Sequence, residues 1–342
     1  MAFCVFPGVR VSGISVALPA KKVSLDDIDT GMDERALKRF KKSTGIQDRY
    51  LSNGKQTTSD LCFAAADKLL TSFDVDREAV DTVLFISQNP DYLRPSTAII
   101  LQKRLGLSKD CMAFDINLGC SGYVYGIYHA ASLIVSKAAT KVLLLAGDVN
   151  YDIEHEYLFG DGASATLIEA GEGNISGLLR SDGSGYKAIY TPYGGQRYPL
   201  TKDNIDSGDN KPRMNGTDVF QFSITEVPQL LDDFFSKTGT SISDYDYFVL
   251  HQANKMIIDT IARKAGLPAD RVPISIDKYG NVSSASIPIA IADLFANIEE
   301  DHVKLLTSGF GVGLSWGALS FDLDRECVLE PVFTDYVWDE KF

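Results

Sequence analysis

Apolar stretches of this chain alternate with helix-like stretches in a repeating order. Residues 81–90 (DTVLFISQNP) combine an acidic residue, a continuous apolar run and a polar turn, which is typical of a buried strand. Residues 245–254 (YDYFVLHQAN) repeat that pattern. Each is followed by a helix-like stretch that ends at a glycine, at 99–107 (IILQKRLGL) and at 258–267 (IDTIARKAGL). The pattern therefore predicts an α/β protein in which helices pack on sheets.

The same order of elements occurs twice, which predicts two related halves, residues 1–175 and 176–342. Three further pairs of segments follow in matching order, namely 113–122 with 274–283, 141–149 with 302–310, and 162–170 with 316–324. Related halves usually pack about a pseudo-two-fold axis, which brings corresponding turns together. Cys120 and Asn281 occupy corresponding turns, and His251 lies at a strand end of the second half. We therefore expect these three residues to converge on one site between the halves.

Composition narrows the classes of function. The chain has 342 residues, of which 45% are hydrophobic, and a formal net charge of −13. That charge argues against nucleic acid as the main partner, because phosphates bind basic surfaces. No apolar run approaches the roughly 20 residues of a membrane-spanning helix, and the N-terminus lacks a signal-peptide pattern. The five cysteines form no CxxC pair, so we expect no disulfide framework, no metal site and a reduced, cytoplasmic protein.

Cys120 is the first candidate for chemistry. It lies in DINLGCSGYVYGI (115–127), where a strand-like run passes into an apolar helix-like run. The alternative is a small buried hydrophobic residue, which is the usual role of a lone cysteine. At the start of a helix, unpaired N–H groups and the helix dipole favour a thiolate, so we expect the pKa of Cys120 to be lowered. Gly119 and Gly122 permit a tight turn and close approach of a ligand.

His251, Asn281 and a glycine-rich turn are the other candidates. His251 ends an apolar run beside Gln252 and Asn254, as expected for a cleft residue or, alternatively, a hydrogen-bonded core histidine. Asn281 alone would be a capping or turn residue, but it is also the counterpart of Cys120. The segment SGFGVGLSWG at 308–317 lacks the spacing of a nucleotide-binding loop and precedes a strand-like run. It predicts a tight strand–strand turn whose N–H groups point into a site.

Together these phrases resemble the thiolase-fold condensing enzymes, in particular β-ketoacyl-acyl-carrier-protein synthase III. The resemblance covers nearly the whole chain, from VSGISVALP and STGIQDRY through FDINLGCSGY, LFGDGASA, HQAN and YGNVSSASIP to GFGVGLSWG. The combination of HQAN with YGNVSSAS is highly specific. The resemblance implies a thiolase-like fold with two duplicated halves in five layers (αβαβα). It also implies that Cys120 is a nucleophile that works with His251 and Asn281.

The activity that the resemblance implies is a decarboxylative Claisen condensation, in fatty-acid initiation or a specialised pathway. Cys120 would take an acyl group from an acyl-coenzyme A or acyl-carrier-protein thioester. His251 and Asn281 would hydrogen-bond the carbonyl of a malonyl thioester, such as malonyl-acyl-carrier protein, and stabilise the enolate formed as carbon dioxide leaves. The enolate would attack the acyl group to give a β-ketoacyl thioester, with the oxyanion held by the N–H groups of Cys120 and Val312.

The resemblance also has consequences for ligands and partners. No permanently bound cofactor is implied, since coenzyme A or phosphopantetheine thioesters are substrates. A homodimer is implied, with residues 88–106 at its interface. Thioester or carrier contacts fall by resemblance on Arg39, Lys42, Ser43, Asn254, Lys255 and Met256.

Several of these positions depart from the family pattern. Arg39, or Phe40 with a one-residue shift, stands where the family has a tryptophan that clamps the adenine of coenzyme A, and Ser43 stands where it has the clamping arginine. Met256 stands where the family has an arginine two residues after HQAN. Arg94 stands where an apolar residue reaches the acyl pocket of the partner. The second glycine of the usual three-glycine turn is Val312. These departures favour a carrier-bound or unusual acyl donor over an acetyl primer.

A carrier protein would be acidic, so a basic patch is expected at the entrance to the site. The candidates are Lys38, Arg39, Lys41, Lys42 and Lys255. A solvated helix face is the alternative interpretation of residues 38–42.

Two other functions stay open at the level of sequence. An acyltransferase of the same fold would pass the acyl group from Cys120 to an alcohol or amine without decarboxylation. A non-catalytic partner subunit would bind acyl chains or a true synthase. The intact pair His251 and Asn281 favours condensation over transfer, and the complete set with Cys120 argues against a silent subunit.

Overall fold

Long strands flanked by helices form the architecture. The computed structural model describes residues 2–150, 156–206 and 210–339. The strands are β1 (Ala2–Pro19), β2 (Lys22–Ser24), β3 (Asp48–Tyr50), β4 (Thr82–Ile86), β5 (Met112–Ile116), β6 (Lys141–Asp148), β7 (Gly162–Ser181), β8 (Ile189–Tyr190), β9 (Arg213–Met214), β10 (Tyr247–Leu250), β11 (His302–Gly311), β12 (Ser315–Asp324) and β13 (Val332–Thr334). The helices are α1 (Glu34–Thr44), α2 (Thr58–Ser72), α3 (Thr97–Arg104), α4 (Gly122–Val135), α5 (Gly216–Thr238), α6 (Lys255–Lys264), α7 (Ile276–Tyr279) and α8 (Ser286–Phe295). Among the described residues, no helix has both the length and the apolar character needed to cross a bilayer.

Two sets of strands share β1 and β7. The first set has the order β5-β4-β6-β7-β1, with β4 parallel to β5 and β6, and with β7 antiparallel to β6 and β1. The second has the order β10-β11-β12-β7-β1, with β10 and β11 parallel and β12 antiparallel to β11 and β7. β7 pairs with β6 over residues 162–169 and with β12 over residues 176–181. The boundary proposed between residues 175 and 176 thus falls within β7.

Three large apolar cores lie between the strands and helices, and a fourth, small cluster is formed by Leu25, Ile46 and Ile276. Alternate residues of β4 face opposite ways: Val83 and Phe85 join the core formed with α2 and α3, whereas Leu84 and Ile86 join the core formed with α4 and α8. The central core also contains Leu305 of β11. The next residue, Leu306, faces the other way and packs in the core formed with α5 and α6. Strands covered on both faces need continuous apolar sequence, as the run at 81–90 indicates. The order of layers confirms the predicted αβαβα fold.

Strands of the first set recur in the second, with one exception. β4, β6 and the first part of β7 have counterparts in β10, β11 and β12. The segment that corresponds to β5, residues 274–283, instead contains the short helix α7. Its N–H groups are taken by a side chain, because Gln252 Oε1 accepts from the backbone of Ser275 and Ile276 at 2.9 and 3.2 Å. These donors are therefore unavailable for pairing with β10.

Candidate active site

A cavity of about 590 Å³ lies between the two sets of strands. Cys120, His251 and Asn281 all line it, so the structure brings the three sequence candidates together. The turn after β11 contributes Phe310, Gly311 and Val312 to the wall. The remaining lining residues are Gln88, Asn89, Asn117, Asp148, Asn150, Leu158, Phe159, Ile189, Tyr190, Thr191, Asn210, Pro212, Met214, Val219, Ser223, Ala253, Asn254, Ile257 and Ser283.

Cys120 lies in the tight turn between β5 and α4. The turn is closed by a hydrogen bond from the N–H of Gly122 to the carbonyl of Gly119 at 2.7 Å. Burial raises the pKa of the Cys120 thiol to about 11, and the charge of Asp148 acts in the same direction. The expectation of a lowered pKa at the helix start is therefore wrong for the resting protein. Desolvation outweighs the favourable end of the helix because the sulfur lies inside the cavity rather than at an exposed terminus.

The turn between β11 and β12 packs directly on Cys120. Gly311 pairs with Ser315 across this turn, which confirms the strand–strand turn predicted for residues 308–317. A Cβ atom at Gly311 would lie 2.6 Å from the Cβ of Cys120 and 3.0 Å from its Sγ, so only glycine fits there. The N–H groups of Val312 and of Cys120 itself both face the sulfur and favour its thiolate. Two backbone donors therefore converge beside the candidate nucleophile.

His251 follows β10 and is 1% exposed. Its backbone N–H donates to the carbonyl of Ser308 at 2.8 Å, and its ring meets Phe310 edge-on with centroids 5.3 Å apart. Burial lowers the pKa of His251 to about 3, so the imidazole is neutral near pH 7. A neutral ring carries one proton, and its two nitrogens have different roles.

Ser286 is the hydrogen-bond partner of Nδ1 of His251. Its Oγ lies 2.6 Å from Nδ1 and also accepts the N–H of Gln252 at 3.4 Å. The hydroxyl can accept from Gln252 and still donate its own proton, and we assign that proton to Nδ1 of His251. The ring proton then resides on Nε2, so His251 can donate a hydrogen bond from that atom.

Asn281 is held by both its backbone and its side chain. Its N–H donates to the carbonyl of Leu158 at 2.9 Å, and its own carbonyl accepts from Gly160 at 3.1 Å. Its Oδ1 accepts the N–H of Ser283 at 2.9 Å. Within the described part of the chain the NH₂ group of Asn281 has no hydrogen-bond partner, which leaves a donor for a ligand in the cavity that the residue lines.

The residues predicted to contact a thioester or carrier are mostly outside the cavity. Only Asn254 lines it; this residue also caps α6, accepting the N–H of Ile257 at 2.8 Å. Arg39, Lys42 and Ser43 lie in α1, and Lys255 and Met256 begin α6. The two helices meet where α1 ends, since a Cβ at Gly45 would lie 2.9 Å from the Cβ of Lys255.

Two cations of the predicted basic patch are already paired. Lys41 lies 2.6 Å from Asp26, and Lys255 lies 2.6 Å from Asp259. The other three, Lys38, Arg39 and Lys42, form no ion pair with any described residue and are exposed. The patch is therefore smaller than the sequence suggested.

Arg94 is exposed in the segment before α3 and does not line the cavity. It follows Leu93, which is 95% exposed.

Sequence reasoning missed two groups next to the candidate nucleophile. Ser283 Oγ lies 4.0 Å from Cys120 Sγ, and Asp148 is a cavity residue that is 1% exposed. A signal was present for both, because Ser283 lies in the phrase YGNVSSAS and Asp148 ends the strand-like run at 141–149. Within the described residues, no cluster of His, Cys, Asp and Glu side chains could hold a metal ion.

Comparisons with known proteins agree with this geometry. Residues 114–183 match the sequence model of 3-oxoacyl-[acyl-carrier-protein] synthase III, and residues 235–323 match that of its C-terminal part. The chain is 32% identical over 327 residues to a β-ketoacyl-[acyl-carrier-protein] synthase III from Symbiobacterium thermophilum, covering 93% of this chain and 98% of that protein. It is 34% identical over 338 residues to the protein of that name from Acaryochloris marina, covering 93% and 98%. A crystal structure of a 3-oxoacyl-(acyl-carrier protein) synthase from Burkholderia xenovorans superposes with a TM-score of 0.91 at 33% identity, covering 97% and 99%.

Proposed function

Because the chain belongs to the β-ketoacyl-acyl-carrier-protein synthase III family of thiolase-fold enzymes, we propose that it catalyses a decarboxylative condensation. An acyl group carried on Cys120 would be joined to a malonyl thioester to give a β-ketoacyl thioester. The observation that supports this most strongly is one cavity lined by Cys120, His251 and Asn281. Acyl-coenzyme A or acyl-carrier protein would supply the acyl group, and no permanently bound cofactor takes part.

Acylation of Cys120 is the first step. The sulfur attacks the carbonyl carbon of the donor thioester, and the negative charge moves to the carbonyl oxygen. The N–H groups of Cys120 and Val312 face the sulfur, so they are placed to bind that oxygen. Collapse of the intermediate releases the donor thiol and leaves the acyl group on Cys120.

Decarboxylation of the malonyl thioester is the second step. Loss of carbon dioxide places negative charge on the thioester carbonyl oxygen as the enolate forms. Two donors can bind this oxygen, namely Nε2–H of the neutral His251 and the free NH₂ group of Asn281. Neither group needs to give up its proton, because the electron pair of the enolate is used in the next step to form the new C–C bond.

Condensation completes the reaction. The nucleophilic carbon of the enolate attacks the acyl carbonyl on Cys120, and the same backbone donors at Cys120 and Val312 stabilise the second oxyanion. Release of the Cys120 thiolate then gives the β-ketoacyl thioester. Each step uses only groups of this chain that line one cavity.

One part of the cavity wall, beside an apolar part that includes Leu158, Ile189 and Ile257, supports an acyl donor that carries a polar group. Four carboxamide side chains from the first half line it: Gln88, Asn89, Asn117 and Asn150. Asn89 donates to Asp148 at 3.3 Å and Asn150 to the carbonyl of Gly160 at 3.5 Å, so an alkyl chain bound here would remove water from the remaining polar atoms of these groups without replacing its hydrogen bonds. An acyl group with a hydroxyl or keto oxygen could instead hydrogen-bond to them, in line with the unusual donor expected from the sequence.

Intact-protein mass spectrometry tests both the activity and the donor class. We expect one acyl mass on Cys120 after incubation with acyl-coenzyme A, followed by release of carbon dioxide when a malonyl thioester is added. 3-Hydroxybutyryl- and acetoacetyl-coenzyme A should load about tenfold faster than butyryl-coenzyme A, the effect of about one hydrogen bond. Faster loading of butyryl-coenzyme A would contradict the polar donor. Loading without decarboxylation would favour the transferase, and no loading from any coenzyme A or carrier-protein donor would favour the silent subunit.

Replacing Ser286 by alanine should slow decarboxylation by roughly 10- to 100-fold, because Nδ1 of His251 loses the hydroxyl that sets the ring proton on Nε2. Loading of Cys120 should change by less than threefold. Carbon dioxide release and acyl mass are measured on the same preparations. Ser286→Thr keeps the hydroxyl and should restore most of the activity. Equal loss of both steps, or no recovery in the threonine variant, would show that Ser286 acts only through packing.

Two surfaces are proposed as partner sites. Lys38, Arg39 and Lys42 of α1, which form no ion pair with the described residues, support docking of an acidic carrier protein, since the end of α1 meets the start of α6. Exposed apolar side chains at Leu93 (95%) and Ile99 (49%) support burial of the segment 88–106, with Arg94, in a homodimer.

A further inference from the structure

Two buried serine hydroxyls join the turn at Cys120 to the turn after β11. Ser121 follows Cys120 in the chain, and its Oγ lies 2.7 Å from Oγ of Ser315, the first residue of β12. The hydroxyl of Ser315 donates in turn to the carbonyl of Val312 at 2.7 Å. Ser121 and Ser315 are 1% and 4% exposed, so both hydrogen bonds are shielded from water.

The direction of both hydrogen bonds follows from their chemistry. A carbonyl oxygen can only accept, so the proton of Ser315 points to Val312. The oxygen of Ser315 is then left to accept, and we assign the proton of Ser121 to it. The result is an ordered chain of hydrogen bonds from Ser121 through Ser315 to the backbone of Val312. It connects two serines that are 194 positions apart in the sequence.

The turn that carries Val312 needs such an anchor. Glycine lies on both sides of it, at Gly311 and Gly313, and glycine restricts the backbone less than any other residue. Close packing brings this turn up to the other one, because a Cβ at Gly309 would lie 3.0 Å from Cα of Ser121. Packing therefore sets the distance between the two turns, whereas the hydroxyl chain anchors the carbonyl of Val312.

We propose that Ser121 and Ser315 are positioning residues for the two backbone donors at Cys120 and Val312. By holding the carbonyl of Val312, the chain restrains the rotation of this residue and so the direction of its own N–H group. The donors bind an oxygen whose negative charge develops only during the reaction, so their placement affects the rate more than substrate binding. The proposal rests on the proposed acylation of Cys120.

The test measures the rate of acylation of Cys120 by 3-hydroxybutyryl-coenzyme A over a range of concentrations, by intact-protein mass spectrometry of quenched samples. Ser315→Ala should lower the maximal rate roughly 10- to 100-fold, because a misplaced donor loses much of its effect on the oxyanion. Ser121→Ala removes only the outer hydroxyl and should lower the maximal rate roughly tenfold. The concentration that gives half the maximal rate should stay within threefold of the wild type in both variants.

Matched controls separate positioning from packing. The double variant of Ser121→Ala and Ser315→Ala should react within threefold of Ser315→Ala alone, because the outer hydroxyl acts only through the inner one. Ser315→Thr keeps the hydroxyl and should recover most of the rate. Ser132→Ala removes a hydroxyl that also donates to a backbone carbonyl at 2.7 Å, but within α4, and should react like the wild type. Release of carbon dioxide from a malonyl thioester, which uses His251 and Asn281, should change by less than threefold in every variant.

Unchanged acylation in Ser315→Ala or in Ser121→Ala would overturn the proposal, and so would an equal loss of acylation and decarboxylation. If Ser315→Ala does not fold, as judged by thermal unfolding, Ser121→Ala and Ser315→Thr decide.

4-Nitrophenyl acetate serves as a second acylating probe. Its carbonyl also becomes an oxyanion, but it needs no recognition of coenzyme A or of a carrier protein. The expected order of rates among the serine variants with this ester, without loading from any thioester, would contradict the proposed function alone. No acylation of the wild type by either probe would contradict both proposals.

Discussion

Replacing Cys120 by alanine is expected to abolish acyl loading and to reduce condensation by at least about 10³-fold, because the nucleophile and its partners act as a unit. The site is built around its sulfur, since the Gly311 backbone packs on its Cβ and the N–H groups of Val312 and Cys120 face the sulfur. The variant should still release carbon dioxide from a malonyl thioester, because His251 and Asn281 remain. Intact-protein mass spectrometry and carbon dioxide release measure the two effects.

Cys111→Ala is the control for that experiment. The pKa of Cys111 is also raised to about 11 by burial, but this cysteine lies outside the cavity. The Cys111→Ala variant should therefore show acyl loading within a few-fold of the wild type. Acyl loading of the Cys120→Ala variant at another residue would show that Cys120 is not the nucleophile.

Asn281→Ala is expected to slow malonyl decarboxylation by roughly 10²- to 10³-fold, the usual effect of removing one preorganised donor from a developing oxyanion. The free NH₂ group is lost, while the N–H groups that serve acylation at Cys120 and Val312 are not touched. Acyl loading should therefore change little. The two half-reactions are measured separately, as acyl mass and as carbon dioxide.

Asn297→Ala provides a matched asparagine control. Asn297 is exposed after α8, and its NH₂ group donates to the carbonyl of Asp293 at 2.6 Å, away from the cavity. The Asn297→Ala variant should keep the rates of both half-reactions within a few-fold of the wild type. A similar loss of acyl loading and decarboxylation in Asn281→Ala would contradict the role assigned to its side chain and would indicate a collapsed turn at residues 158–160.

Most elements of the fold were predictable from local pattern. The runs at 81–90 and 245–254 hold β4 and β10, and the phrase around Cys120 holds the junction of β5 and α4. Apolar periodicity is a local consequence of which faces are covered, so it can be read along the chain. α7 was not predictable in this way, because the hydrogen bonds that prevent a strand there come from Gln252, more than twenty positions earlier.

The chemical groups of the candidate site could also be named from the chain, since Cys120, His251 and Asn281 each lie in a distinctive phrase. The electrostatic state of these three groups could not be predicted from the chain. The local rule for a helix start predicts a lowered pKa at Cys120, but burial raises the pKa to about 11. Desolvation depends on every segment that encloses the cavity, and no single segment contains that information.

The contacts that give each group its role lie still farther apart in sequence. Ser286 hydrogen-bonds to His251 across 35 positions, and Asp148 accepts from Ser284 across 136. Residue types and their spacing along the chain were therefore enough to specify the fold class and the three reactive side chains. Folding decided the hydrogen-bond partner of His251, the pKa of the Cys120 thiol and the carboxylate that lies near it. Hydrogen-bond geometry and local dielectric arise only when distant segments pack together.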